Sequence, residues 1–208
     1  MTRVMTDLRP STSPDTGFVV GLDLSLTCSG VSAVDLGTGT TFMDVVRSSK
    51  RAASGRNDTA AQTMDRLVEI TEKIVAKVRA ADPVLVVMES ATFSTTKDTS
   101  AHRRAGLWWR VYEKVGEHYP VLDVTPSQIK KFVTGKGNAP KTGVAAMVLR
   151  YADLDVTNSS LADTADATGA AWLGSAALGG SHPLGEAKVR RAVADALELP
   201  PLRVRAIP

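Results

Sequence analysis

The chain has 208 residues, of which 43% are hydrophobic and 23% are charged, and this balance excludes intrinsically disordered and fibrous proteins. The formal net charge is only +3, and the single cysteine, Cys28, excludes an internal disulfide. No set of cysteine and histidine residues has the spacing of a zinc site. No stretch approaches the roughly 18 consecutive apolar residues of a membrane span, and residues 1–14 lack the apolar core of a secretory signal. We therefore expect a cytoplasmic protein that binds no membrane.

The first part of the chain predicts strands. Residues 1–16 are polar, have no hydrophobic periodicity and are predicted to be a disordered leader. Three strand-like segments follow at residues 18–24, 28–36 and 39–48, separated by short turns. Three consecutive strands of this kind predict an antiparallel meander.

The pattern then alternates between helices and strands. Apolar residues recur every three or four positions in residues 59–81, which predicts an amphipathic helix, and the apolar run 84–88 predicts a strand covered on both faces. Residues 100–118 predict a second amphipathic helix, and residues 121–124 predict a short buried strand. The order βββαβαβ predicts an α/β fold with a mixed five-stranded sheet, flanked by helices.

The remainder of the chain is predicted to be helical. The predicted helices span residues 127–133, 141–151, 161–178 and 184–197. Gly179 and Gly180 separate the last two helices, so we place the main domain at residues 17–180 and a basic helical tail at residues 181–208.

Four acidic residues fall where this order of elements brings side chains together. Asp23 lies within the first apolar strand, where a charge that is buried without a partner costs several kcal/mol. Glu89 follows the fourth strand, at the carboxyl edge of the sheet where ligands usually bind. Asp163 and Asp166 are three residues apart near the start of one helix, so their side chains project from the same face.

Carboxylates that meet at one point repel one another, and their pKa values rise unless divalent cations neutralise them. Oxygen ligands without cysteine or histidine favour Mg²⁺ or Mn²⁺. Two such ions, about 3.5–4 Å apart, activate a water molecule and stabilise the leaving 3′-oxygen of a phosphodiester. Asp23, Glu89, Asp163 and Asp166 are therefore candidate catalytic and metal-binding residues.

Each acidic residue also has a structural interpretation. Asp163 and the preceding Ser160 match a helix capping box, and Asp166 is favourable near the positive end of a helix without any metal. Glu89 can be a solvated strand end, and Asp23 can cap the turn that follows it. Taken one at a time, these residues leave both interpretations open.

Four stretches of the sequence carry a family resemblance. Residues 21–25 (Gly-Leu-Asp-Leu-Ser) and 86–90 (Val-Val-Met-Glu-Ser) are similar to two strands that end in metal-binding acids. Residues 125–141 resemble a lysine-bearing segment with a helix, a G-x-G turn and a second lysine, and residues 163–167 (Asp-Thr-Ala-Asp-Ala) resemble a closing D-x-x-D-A helix. The family is that of the RuvC Holliday-junction resolvases, a branch of the RNase H-like superfamily, and the resemblance covers residues 18–178.

The resemblance implies a three-layer RNase H-like fold and a homodimer that cuts Holliday junctions or other branched DNA. It also implies that Asp23, Glu89, Asp163 and Asp166 hold two Mg²⁺ ions per active site, with Mn²⁺ as a substitute. A two-fold dimer suits a two-fold junction. The leader and the tail depart from the bacterial pattern, so a bacterial and a phage origin both stay open, as does the choice of branched substrate.

Residues expected to contact DNA surround the acidic group. The resemblance assigns phosphate contacts to Lys130 and Lys141, and Lys131 and Lys136 lie close to them in the sequence. Phe93 lies in a polar loop after the fourth strand, where the resemblance implies a ring that stacks on an unpaired base. The structural alternatives are lysines that solvate a helix face and a Phe93 that packs on the core.

Two further features lie away from this group. Trp109 follows the core-facing Trp108 and points about 100° away around the helix, so it either anchors a dimer interface or packs within the domain. Arg190 and Arg191 of the tail either extend the DNA footprint or solvate a packed helix.

Three other functions share part of the pattern. Another RNase H-like nuclease, acting on RNA or in transposition, would have the same fold and metal chemistry. A sugar-kinase-like nucleotide binder can carry a similar first strand, with Ser25 and Thr27 at a phosphate. A catalytically silent DNA-binding module is the third alternative.

Overall fold

The computed structural model describes residues 17–49, 58–91, 100–152 and 161–202, with only the backbone given for residues 161–163. The strands are β1 (Phe18–Asp23), β2 (Cys28–Asp35), β3 (Thr41–Arg47), β4 (Leu85–Glu89) and β5 (Val121–Val124). The helices are α1 (Ala60–Ala81), α2 (Ala101–Gly116), α3 (Pro126–Thr134), α4 (Lys141–Tyr151), α5 (Leu161–Ala177) and α6 (Lys188–Ala194). None of the described helices is long and apolar enough to cross a membrane.

The strands form one sheet in the order β3-β2-β1-β4-β5. β2 runs antiparallel to both β1 and β3, whereas β4 runs parallel to both β1 and β5. Parallel neighbours need crossover connections, and α1 and α2 provide them. The predicted mixed five-stranded sheet, with its first three strands antiparallel, is confirmed.

Alternate residues of each strand face opposite helical layers. Val20, Leu22 and Val86 belong to the core that α1 and α2 cover. Val19 and Val87 belong to the core formed with α3, α4, α5 and α6. The odd-numbered positions of β1 and β4 therefore face α5, in the predicted three-layer arrangement.

α5 crosses β1 at very short range. A Cβ atom on Gly21 would collide with the carbonyl oxygen of Ala167 and would lie 2.5 Å from the amide nitrogen of Ala171. Glycine inside a strand commonly marks such a close approach of another backbone. Farther along α5, the indole N–H of Trp172 donates to Oγ1 of Thr41 over 2.8 Å. The close approach at Gly21 fixes α5 relative to the end of β1, whereas the Trp172 bond ties the later part of the helix to β3.

Two differences from the sequence-based expectation concern the site and the tail. Asp23 is the last residue of β1 and not a mid-strand residue, because the ladder with β2 ends at the pair of Asp23 and Gly30. The terminal helix begins at Lys188, later than predicted, because Gly185 has a φ of +67° that a right-handed helix does not contain. Leu184 is buried in the core instead.

The segment after α5 packs on the rest of the domain. The Ser181 N–H donates to the carbonyl of Leu36 over 2.7 Å. The guanidinium of Arg190 donates to the carbonyls of Phe132 and Leu184 over 3.2 and 3.0 Å. Arg190 therefore holds the tail against α3, a role that neither sequence-based alternative gave to this residue.

Candidate active site

Asp23 and Glu89 lie at the same edge of the sheet, at the carboxyl ends of β1 and β4. The register of the two parallel strands pairs Leu22 with Met88, so each acidic residue is one position beyond this pair. Both occupy odd-numbered positions, and their side chains therefore face the layer that contains α5. This is the edge of an α/β sheet at which ligands usually bind.

Asp166 approaches the same edge from α5. It directly precedes Ala167, whose carbonyl oxygen lies against Gly21, two residues before Asp23. Asp166 is only 5% exposed. Its negative charge acts on the carboxyl group of Glu89, as does that of Asp23. The structure thus brings three of the four predicted acidic residues together.

Without a cation, burial and the neighbouring negative charges make the ionised form of these carboxyl groups unfavourable. The pKa of Glu89 is raised from 4.5 to about 8, first by burial and then by the charges of Asp23 and Asp166. Burial likewise raises the pKa of Asp166. Oε2 of Glu89 is buried and has no hydrogen-bond partner among the described residues. A cation between these groups would remove the repulsion and satisfy this oxygen.

Two of the predicted lysines oppose the acidic charges. Lys141 begins α4, and its Nζ lies 3.8 Å from Oδ2 of Asp166 while the side chain remains 77% exposed. Lys130 lies on α3, and both lysines lower the pKa values of Glu89 and Asp166 against the effect of burial. Lys131 and Lys136 are exposed, and neither is among the main effects on the pKa values of these carboxyl groups. A phosphate could therefore meet Lys130 and Lys141 close to the acidic residues, and the other two lysines farther out.

Some predicted site residues lie outside the described part of the chain. They are Phe93 and the side chain of Asp163, whose backbone alone is described, in the first turn of α5. Ser160, the residue of the alternative capping box, also lies outside the described residues. Among the side chains that the structure does describe, no three histidine, cysteine, aspartate or glutamate residues form a group that could hold a metal ion by itself.

One contact of the site was not foreseen from the sequence. The indole N–H of Trp108 donates to the backbone carbonyl of Glu89 over 2.9 Å, from the helical layer opposite α5. The sequence indicates only that Trp108 faces the core. The turn after Asp23 is likewise organised by its own hydroxyl groups, because the N–H of Ser25 donates to Oγ of Ser29 over 3.0 Å.

The comparison with known proteins decides the family. The model of the crossover junction endodeoxyribonuclease RuvC family matches residues 19–172. The chain belongs to the RuvC family.

Individual RuvC proteins agree with this membership. RuvC of Corynebacterium diphtheriae is 29% identical over 148 residues, which are 71% of this chain and 87% of that protein. RuvC of Streptomyces griseus is 33% identical over 166 residues, with 72% of this chain and 70% of that protein covered. The solved structure of Thermus thermophilus RuvC in complex with a Holliday junction substrate shares the fold, with a TM-score of 0.58, 24% identity and coverage of 74% of this chain and 90% of that chain.

RuvC membership confirms the predicted resemblance. It makes the chain an RNase H-like endodeoxyribonuclease, a hydrolase, and nucleases of this family are metal-dependent. The match favours none of the three alternatives drawn from the sequence.

Proposed function

We propose that this chain cuts Holliday junctions, or closely related branched DNA, by hydrolysing phosphodiesters in recombination and repair. The observation that carries the proposal is the convergence of Asp23, Glu89 and Asp166 at one edge of the sheet in a chain of the RuvC family. Its relatives are named crossover junction endodeoxyribonucleases, and the T. thermophilus protein is bound to a Holliday junction substrate. Its place of action would be the cytoplasm of a bacterium, or of a bacterium infected by a phage that encodes it.

The described residues suit a divalent cation. They supply carboxylate oxygens that repel one another, and one of these oxygens is buried without a hydrogen-bond partner. Mg²⁺ binds through one or two carboxylates together with water and substrate phosphate, so a site that lacks a complete protein cage is typical of this ion. We assign metal binding to Asp23, Glu89, Asp163 and Asp166, with two Mg²⁺ ions and Mn²⁺ as a substitute. The ions supply positive charge for the attacking water and for the leaving 3′-oxygen.

The lysines position the DNA in this proposal. The exposed Lys141, next to Asp166, binds the scissile phosphate, and Lys130 contributes from the neighbouring helix. Lys131 and Lys136 contact phosphates farther from the cut, and Phe93 stacks on an unpaired base at the crossover. Binding should therefore weaken as salt rises.

The proposed assembly is a homodimer with one active site per chain. A junction has two equivalent strands to cut, and two copies related by a two-fold axis place one site on each. Within each copy we assign residues 17–180 to the nuclease domain and residues 181–208 to the tail.

The experiment that tests the proposal is a nicking assay with Mg²⁺ on a mobile four-way junction whose strands are end-labelled one at a time. Paired nicks at symmetric positions in opposite strands are expected. Equal cutting of linear duplex or of an RNA–DNA hybrid would instead favour another RNase H-like nuclease. A chain that binds the junction and never cuts it would be the silent module.

Asp23→Asn tests the acidic group within the same assay. It removes one negative metal ligand with little change in shape, so cutting should fall by more than about 100-fold, beyond the loss typical of a residue that only supports a ligand. Junction binding should persist. The matched control is Asp123→Asn, a strand residue of β5 whose carboxylate accepts from the Ser90 hydroxyl over 3.2 Å. Unchanged cutting by Asp23→Asn would reject the assignment.

A further inference from the structure

The backbone of Glu89 is held from the side of the sheet opposite to its carboxyl group. β4 pairs with β1 up to Met88 and Leu22, so Glu89 lies one residue beyond the last pair of these two strands. On the β5 side, the Ser90 N–H donates to the carbonyl of Val124 over 2.8 Å. The carbonyl of Glu89 itself accepts the indole N–H of Trp108 over 2.9 Å. The end of β4 is therefore tied to α2 as well as to β5.

Trp108 is itself firmly placed. The residue is 8% exposed. The ring stacks on Tyr112 with centroids 5.1 Å apart and planes 19° apart, and it meets Trp109 edge to face at 4.8 Å. An indole has one N–H and no acceptor, so this donor has a single use. Trp108 therefore has a fixed position from which its N–H holds the carbonyl of Glu89.

The position of this strand end matters because of what the side chain of Glu89 faces. When Glu89 gives up its proton to bind a metal, the charges of Asp23 and Asp166 repel its carboxylate until the cation neutralises them, and this repulsion acts to push the end of β4 away. Metal sites tolerate only about 0.5 Å of error in the placement of a ligand. A hydrogen bond to the backbone of Glu89 resists such a displacement without occupying the carboxylate oxygens.

We propose that Trp108 is a positioning residue that sets the place of the Glu89 carboxylate for metal binding, through its hydrogen bond to the Glu89 carbonyl. This inference rests on the proposed function, because it takes Glu89 as a metal ligand. Within the described residues, Trp108 is connected to the acidic group through Glu89, from the α2 layer.

The test compares two substitutions that each remove one buried indole N–H. Trp108→Phe deletes the bond to Glu89, and Trp172→Phe deletes the bond of 2.8 Å to Thr41, which lies on β3. Both variants should lose some thermal stability. Only Trp108→Phe should raise the Kd for Mn²⁺, measured by titration calorimetry without DNA, by about 10-fold, the usual effect of losing a group that orients a metal ligand. The Mg²⁺ concentration for half-maximal nicking should rise by the same factor, and excess Mg²⁺ should restore the rate.

Equal Mn²⁺ affinities in Trp108→Phe and Trp172→Phe would overturn the inference, whatever their stabilities. If Trp108→Phe does not fold, the benzothiophene analogue of tryptophan at position 108 keeps the fused ring and replaces only the N–H by sulfur, and normal Mn²⁺ affinity in that protein would overturn it equally. Failure of the proposed function is seen separately, as a wild-type chain that binds Mn²⁺ and nicks no junction. In that case the Mn²⁺ titration still decides the role of Trp108.

Discussion

At the scale of single residues, Glu89 makes the metal-free protein less stable as the pH rises. Its pKa is raised from 4.5 to about 8 on folding, so the folded chain holds this proton more tightly than the unfolded chain. The resulting stabilisation is complete below pH 4.5 and is lost as the pH rises to about 8. We predict that Glu89→Gln raises the Tm in EDTA, and that its advantage over the wild type grows across this range. Thermal unfolding at a series of pH values measures the difference.

Glu69 provides the control of opposite sign. Its carboxylate accepts hydrogen bonds from Lys73 and from the backbone and hydroxyl of Ser49, and its pKa is lowered from 4.5 to about 2. The stabilisation from Glu69 is therefore present above pH 4.5 and is lost as the pH falls to about 2. Glu69→Gln should lower the Tm at neutral pH. If Glu89→Gln also lowered the Tm at neutral pH, as expected for Glu69→Gln, this result would contradict the burial of the Glu89 carboxyl group described above.

The single residues also show where sequence reasoning succeeds and where it stops. Asp23 and Glu89 could be placed together because each follows an apolar run, and parallel strands bring such ends to one edge. The hydrogen bond from Trp108 could not be foreseen, since it depends on the depth at which α2 packs on the sheet. Gly21 did carry a usable signal, because glycine inside a strand often marks the approach of another backbone.

At the scale of elements, the contact of α5 with β1 determines where Asp166 lies. A methyl group on Gly21 would collide with the backbone of α5 at Ala167, which cannot swing aside as a flexible side chain can. We predict that Gly21→Ala destabilises the protein by about 1–3 kcal/mol, as overpacking commonly does, and that it displaces Asp166 from Asp23. Urea unfolding measures the first effect. Junction nicking at a temperature where the variant is folded measures the second.

Gly143→Ala is the matched control for this substitution. A Cβ at Gly143 in α4 would meet its nearest neighbour, Pro140, at 3.7 Å, which is ordinary contact. Alanine is favoured over glycine in a helix by about 1 kcal/mol, so this variant should be as stable as the wild type or more stable. Normal cutting by folded Gly21→Ala would show that the close approach of α5 is not needed for activity.

Helix and strand positions followed the sequence wherever hydrophobic periodicity was strong. The capping box of Thr59 and Gln62 starts α1 near the predicted boundary, and a second one at Thr125 starts α3. The terminal helix was harder to place, because its periodicity includes Leu184, which is buried beyond a glycine turn and not on a helix. The local sequence pattern identifies Leu184 as a core residue, but it does not predict the glycine turn that brings Leu184 into the core.

At the scale of the whole molecule, the two helical layers contribute differently to the proposed site. The acidic residues of β1, β4 and α5 meet on the face of the sheet that α3 to α6 cover, and α3 and α4 carry the lysines beside them. On the opposite face, Trp108 of the α1–α2 layer supports the end of β4. The tail adds to the first layer, where Arg190 bonds to backbone carbonyls and Val193 is buried. We infer that the tail supports the face that presents the lysines.

The outer surface of α2 provides the last prediction, which rests on the proposed homodimer. Trp109 is 62% exposed, and its described ring contacts are edge contacts with Trp108 and Tyr112 in its own helix. Large exposed rings of this kind contribute about 2 kcal/mol or more when an interface buries them, so Trp109→Ala should raise the dimer Kd about 30-fold in analytical ultracentrifugation. Leu199→Ala, at a tail residue that is 38% exposed, should leave the Kd unchanged. Because each copy supplies one site, Trp109→Ala at low concentration should nick single strands of a junction and lose the paired cuts. A wild-type chain that stays monomeric at every concentration would contradict the dimer itself, whereas an unchanged Kd in Trp109→Ala would place the interface elsewhere.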